Sequence, residues 1–176
     1  MTRHEGSVLD SLVIIDMLEG VDDTVAYVES QEIPYLTSSI CVYEVLAGTL
    51  GRGETDVRAE RQRFGGVRTL AFNEEMALEA ARLQDKLLDD GERMAVRDLV
   101  IAATARSTGD HLVVADSDFQ TGVLESELDV TNLQAEQAEC LGKFDADVGV
   151  LHSTTMVAQC DKTAGWSAHC PVWWTV

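Results

Sequence analysis

The sequence predicts an α/β fold: a mostly parallel central sheet flanked by helices, with an acidic site at the carboxyl ends of the strands. Three observations lead there. Short apolar runs suited to buried strands alternate with helical patterns along the chain, as βαβ units require. The stretch NEEMALEAARLQDKLLDDG has apolar residues three or four apart, so at least one of the intervening segments is a firm helix. Four carboxylates distant in sequence stand at or near the ends of the strand candidates, where open parallel sheets bind their ligands.

The elements follow in order. Residues 7–10 read as a short buried strand, and SLVIIDMLEG as a helix that turns away from it and stops near Gly20. DDTVAYVESQ opens on a good N-cap type and carries Val25 and Val28 at helical spacing, so a second helix follows. IPYLTSS suits a strand ending in hydroxyls, and SICVYEVLAGTLGRG a helix with a glycine stop. ETDVRAERQRFGG is charged and reads as an exposed helix, and VRTLAF as a strand followed by an Asn73 cap. The long helix then buries Met76, Ala80, Leu83 and Leu87 and closes at Gly91. RDLVIAATARSTG is a further helix ended by Gly109, HLVVA a buried strand running into DSDF, and LDVTNL a last strand.

These elements fill residues 1–134 as one domain. Beyond them the texture changes: residues 135–176 hold three of the four cysteines, all three tryptophans and little periodicity. They stand apart as a C-terminal extension, a small module or a poorly ordered tail. Cys140, His152, Cys160, His169 and Cys170 are zinc-ligand types there, but their spacing lacks the close pair that structural zinc sites favour. Cys41, inside an apolar helical run, reads as core.

Charge is the strongest compositional feature. Against 31 acids stand 13 bases, for a formal net charge of -18, and Lys86, Lys143 and Lys162 are the only lysines. Such self-repulsion is relieved in molar salt, where the Debye length falls to about 3 Å, and suits a salt-loving host, set against an acidic chain that simply avoids nucleic acid. No apolar run approaches the ~20 residues of a membrane span, and the first residues lack a signal-peptide core, so the chain is expected in the cytoplasm.

The acids carry the chemistry. Asp10 ends the first strand in an otherwise apolar run, where a lone carboxylate costs several kcal/mol unless it is paired, hydrogen-bonded or bound to a metal. Asp116 follows HLVVA, Glu44 lies in the helix after IPYLTSS, and Asp98 opens RDLVIAATARS. Converging at one sheet edge without neighbouring cations, they repel one another and rise in pKa. A divalent cation relieves this, and oxygen-only ligands select Mg²⁺ or Mn²⁺ over zinc. Asp16, about one and a half turns into the first helix, is expected to stay outside the site.

VLDSLVIIDML, SSICVYEVLAG and RDLVIAATARSTGDHLVVADSDF, in that order over residues 7–134, resemble the PIN-domain ribonucleases, above all the VapC-type toxins of toxin–antitoxin pairs. The resemblance implies a PIN-like fold and Mg²⁺-dependent hydrolysis of RNA phosphodiesters to a 5′-phosphate and a 3′-hydroxyl. It implies Asp10, Asp98 and Asp116 as principal metal ligands, with Glu44 as ligand or general base. Ser11 matches a hydroxyl position beside the first acid, and Asp118 begins the family's D-F ending. A small antitoxin laid across the site and a homodimer are further implications.

The chain departs from the family at Leu12, where Asn, Ser or Thr is common. That loses a polar neighbour of the site and keeps open a degenerate PIN domain that binds RNA or protein without cutting. A housekeeping RNA-processing nuclease is a third reading. For holding the polyanion, Arg52, Arg58, Arg61, Arg63, Arg68 and Arg97 are the candidates, set against pairing with nearby acids on a solvated helix. An aspartate-nucleophile phosphatase would need an acid where Leu12 stands, a phosphate-receiver domain a suitably placed lysine, and no glycine-rich phosphate loop is present.

Overall fold

The computed structural model describes residues 6–134, apart from Glu32 and Arg52. The segment 135–176, with its Cys and His set, lies outside the described residues.

Hydrophobic alternation explains how the strands stack. In β1 (Ser7–Leu9) and β4 (His111–Val114), successive side chains enter two different cores. Val8, Leu112 and Val114 pack in one, Leu9 and Val113 in the other. Strands buried on both faces read as continuous apolar runs, and here they form a five-stranded, all-parallel sheet of order β3-β2-β1-β4-β5. The outer strands are β2 (Tyr35–Ser38), β3 (Arg68–Leu70) and β5 (Val130–Asn132).

The chain travels outward from β1 to β3, then returns across the sheet to β4 and β5. With crossovers of one hand, reversing the direction of travel changes the face on which the helices lie. The outward half contributes α1 (Ser11–Glu19), α2 (Asp22–Glu29), α3 (Ser39–Ala47) and α4 (Val57–Gln62). The return half contributes α5 (Glu74–Asp89), α6 (Val96–Thr108) and α7 (Gly122–Glu127). Val13, Ile14, Val28 and Phe64 fill the first face, and Leu83, Leu87, Ile101 and Leu124 the second. Full burial of each such side chain contributes roughly 1.5–3 kcal/mol. Helix α3 belongs to both faces, with Cys41 in one core and Val45 in the other, so it sits over the carboxyl edge of the sheet.

The helix ends follow local chemistry. Asp10 caps α1 through the Leu12 N–H, and Gly20, in the left-handed region at φ 75°, closes it. Asn73 caps α5 by accepting from the Met76 N–H, and Gly109 at φ 73° ends α6. Helix α2 differs from expectation. Its cap position is Val21, without a side-chain bond, and Asp22 and Asp23 lie inside the first turn, where they face the positive end of the helix dipole. Helix α4 has no fully buried residue, with Asp56 as its cap. Helix α7 has no counterpart in the sequence reading. Six residues are too few to show a helical period, and its one local signal is Thr121, whose hydroxyl accepts from the Leu124 N–H.

Candidate active site

The point where strand order reverses lies between β1 and β4, which pair with Leu9 opposite Val113. Asp10 leaves the end of β1 and Asp116 stands two residues beyond β4. Helix α6 runs back antiparallel to the strands, so its first turn, with Asp98, returns to the same edge. Glu44 comes from α3, which covers that edge. The topology thus collects four carboxylates from four segments along the wall of one open cleft of about 430 Å³.

Asp10 is the most buried of them, 3% exposed. Its carboxylate accepts from the Ser11 hydroxyl (3.3 Å), from the Leu12 N–H (3.4 Å) and weakly from the Cys41 thiol (4.0 Å), while its own N–H donates to the Val113 carbonyl (3.0 Å). Burial pushes the Asp10 carboxyl up to about 6, with the Glu44 charge adding to the rise and the bonds from Ser11 and Leu12 opposing it. Asp98 is also raised, first by burial, then by the charges of Asp116 and Asp118, with Arg97 partly offsetting them. Asp116 is fixed by the Asp118 N–H (3.0 Å), and its carbonyl accepts from the Asn132 side chain (2.6 Å), tying the end of β5 to the site.

Arg97 is the one cation among the described residues lining the cleft. It bridges from α6 to Glu44 of α3 at 2.9 Å with its side chain 67% exposed, so the pair itself adds little stability. Ligand atoms of Asp10, Cys41 and Glu44 lie within 4.8 Å of one another. Burial pushes the Cys41 thiol up to about 12, so the donors presented near neutral pH are carboxylate oxygens. Two raised carboxyls crowded by like charge, with hard oxygen ligands, fit Mg²⁺ or Mn²⁺.

The other sequence candidates divide by what they meet. Ser11 serves Asp10 directly, Asp118 steadies Asp116 through its backbone, and Leu12 lines the cleft with a side chain one third exposed. Arg61 is turned inward. Its guanidinium donates to the carbonyls of Phe64 and Val67 and to the Thr69 hydroxyl, and it stacks 4.5 Å over the Phe64 ring. Arg63 pairs with Glu60, whereas Arg58 and Arg68 are exposed and do not line the cleft. Arg52 lies outside the described residues. Asp16 stays away from the cleft, accepting from the Thr24 hydroxyl and so joining α1 to α2.

Cys41, Tyr43 and Asn132 are among the residues of the site that were not singled out from sequence for it. Cys41 was read as core and is core, yet it also touches Asp10. Its place one helical turn before Glu44 was the available signal. Tyr43 lines the cleft beside Glu44. Asn132 reaches the site only because β5 pairs with β4, so nothing local announces it.

A family model for the PIN domain matches residues 7–122, and the carboxylates just described lie inside that span. The chain belongs to the PIN-domain family. This PIN domain is 30% identical over 122 residues to Ribonuclease VapC5 of Mycobacterium tuberculosis (strain ATCC 25618 / H37Rv), a match taking in 67% of this chain and 88% of that protein. Among solved structures it is similar to VapBC-5 from Mycobacterium tuberculosis, a member of the VapBC family of toxin–antitoxin systems (29% identity, TM-score 0.51, 73% of this chain and 97% of that one). It is also similar to FitAcB from Neisseria gonorrhoeae (26% identity, TM-score 0.56, 72% and 96%). VapBC2 from Rickettsia felis, at 17% identity and a TM-score of 0.59 over 72% of this chain and 97% of that one, shares the PIN fold. Among the described residues, no helix is long and apolar enough to cross a membrane.

Proposed function

We propose that this PIN domain is a divalent-cation-dependent endoribonuclease and the toxin of a toxin–antitoxin pair. The observation that carries the reading is the convergence of Asp10, Glu44, Asp98 and Asp116 on one cleft with Arg97 as its only lining cation among the described residues. The similarity to a VapC ribonuclease and to VapBC-5, a toxin–antitoxin system, supports RNA as substrate and a small antitoxin as partner.

Asp10, Asp98 and Asp116 would hold Mg²⁺ or Mn²⁺, with Glu44 as a further ligand or as the base that takes a proton from the attacking water. When bound, the cation supplies charge neutralisation, an acidified water and polarisation of the scissile phosphate. The chain does the rest. Ser11 and the Leu12 N–H fix the Asp10 carboxylate, and the Asp118 N–H fixes Asp116, so the acids are oriented before substrate arrives. Arg97, at the mouth, presents guanidinium N–H groups that match a phosphodiester's non-bridging oxygens.

Leu12, an apolar side chain in the cleft, favours one second reading: a PIN domain that binds RNA or a partner without cutting. One experiment separates the two. Full-length protein is incubated with labelled total RNA in molar KCl with Mn²⁺, alongside Asp98→Asn and an EDTA control. Cutting by wild type that disappears in both controls is the expected result. Cutting that survives Asp98→Asn or EDTA refutes the assignment, and a folded wild type that neither cuts nor binds Mn²⁺ moves it to the binding module.

A further inference from the structure

We infer that Arg97 is a phosphate-binding residue kept on Glu44 until a divalent cation claims that carboxylate, so that Arg97 opposes cation binding and then assists RNA binding; this rests on the ribonuclease reading above. Its position does little for the fold. Arg97 stands in the first turn of α6, whose N-cap residue, Ala95, makes no side-chain bond. The positive end of a helix dipole disfavours a cation there. Its pair with Glu44 is 67% exposed on the arginine side, and such pairs contribute little to stability. Neither the helix nor the ion pair accounts for an arginine at this point of the cleft wall.

Its charge, by contrast, acts on two of the site's acids. The guanidinium donates from Nη1 to Oε1 of Glu44 at 2.9 Å, reaching from α6 to α3. Asp98, lifted first by burial and then by Asp116 and Asp118, is held back by the same charge. Glu44 also has a ligand oxygen within 4.8 Å of one from Asp10. A dication held between those two carboxylates needs the group that Arg97 occupies, and like charge drives the guanidinium off. The weakness of an exposed pair is what permits the exchange, since a strong pair would bar the cation.

Once displaced, Arg97 needs a new anion, and the substrate brings one. The guanidinium stays charged at every working pH, and its planar fork matches two non-bridging oxygens of a phosphodiester. Among the described residues lining the cleft it is the only cation, so no other side chain there can take this role. Divalent cation and RNA then favour each other's binding, because each resolves the conflict over Glu44 that the other leaves.

The test reads two quantities that should move in opposite directions. Full-length protein stripped of metal is titrated calorimetrically with Mn²⁺ alone, and KM is measured for a labelled RNA that the wild type cuts, both in the lowest KCl that keeps the chain folded. Wild type is compared with Arg97→Gln and with Arg93→Gln, which removes the same charge from an exposed residue that does not line the cleft. Each variant is first shown to melt at the wild-type temperature. Arg97→Gln is expected to bind Mn²⁺ about fivefold more tightly, the upper range for an exposed pair. Its KM is expected to rise about tenfold, as loss of a charge-assisted hydrogen bond implies. Arg93→Gln should change neither. Mn²⁺ affinity that is unchanged or weaker in Arg97→Gln, or equally tightened by Arg93→Gln, would overturn the competition for Glu44. An unchanged KM would overturn the phosphate role. A wild type that binds Mn²⁺ and cuts no RNA would strike the ribonuclease reading and the phosphate role together, while the Mn²⁺ titration would still decide the competition.

Discussion

On the face formed by α5, α6 and α7, Glu79 and Glu127 meet Arg82, Lys86 and Arg106; in the cleft, four carboxylates share Arg97. Arg106 sits between the two glutamates, 3.0 Å from one and 2.9 Å from the other, and joins α6 to both neighbouring helices. The electrostatics diverge accordingly. Glu127 is held below the usual carboxylate range, first by its hydrogen bond to Lys86, whereas burial and mutual repulsion lift Asp10 and Asp98. Cations satisfy the glutamates of one region, and the acids of the other are left in need of one. Matched acids fasten helices together, and unmatched acids at a sheet's carboxyl edge make a place for a metal.

The largest way to sharpen that contrast is to neutralise an unmatched acid. Asp116→Asn keeps the shape that caps the turn and loses the charge, and should lower RNA cleavage by about 10³-fold while leaving the melting temperature within a few degrees. Cleavage within tenfold of wild type would mean that Asp116 is not part of the machinery.

Asp10→Asn carries the same logic into stability. The folded-state pKa of Asp10, about 6, exceeds its ordinary 3.8, so the folded protein binds that proton more tightly than the unfolded chain does. The resulting stability is complete below about pH 4 and is lost as pH rises through 6. Metal-free wild type should therefore weaken across that window, by up to about 3 kcal/mol. The Asn variant should be flatter there and more stable at pH 7. Urea denaturation in EDTA at pH 4.5 and 7 measures it, and equal pH slopes for the two proteins would contradict it. Saturating Mn²⁺ should restore wild-type stability at pH 7, with no comparable gain in the variant.

How much of this contrast the sequence displayed depends on how local each signal was. Asp10 and Asp116 were legible because each follows an apolar strand run, and a parallel sheet directs strand ends to one edge. Asp98 was legible because a helix between parallel strands must start there. The ion network was not legible, since Arg106 meets Glu127 only after α7 forms, and six residues leave no period to read. The arginine-rich stretch was ambiguous for a related reason. Arg61 is engaged by carbonyls of a loop whose shape appears only on folding. Its neighbour Arg63 pairs one helical turn back, a spacing visible in the sequence.

Breaking the matched region should have a smaller effect and spare the chemistry. Arg106→Met keeps the length of the side chain and removes the charge shared by Glu79 and Glu127, so about 2 kcal/mol of stability should be lost. Cleavage per folded molecule should not change, because none of these residues lines the cleft. A fall in specific activity matching that of Asp116→Asn would erase the distinction between the regions.

Salt gives the smallest effect and the most discriminating sign. Screening weakens attraction and repulsion alike, so rising KCl should favour a chain of net charge -18 while eroding the Arg106 network. Thermal melts between 0.1 and 3 M KCl should show wild type gaining stability, as the salt-loving reading requires. Arg106→Met should gain more steeply, because it has no matched network left to lose. A wild type equally stable at both limits would sink the salt-loving reading. A variant with the same slope as wild type would show that the arginine and its two glutamates are already screened, and that helix packing alone holds that face together.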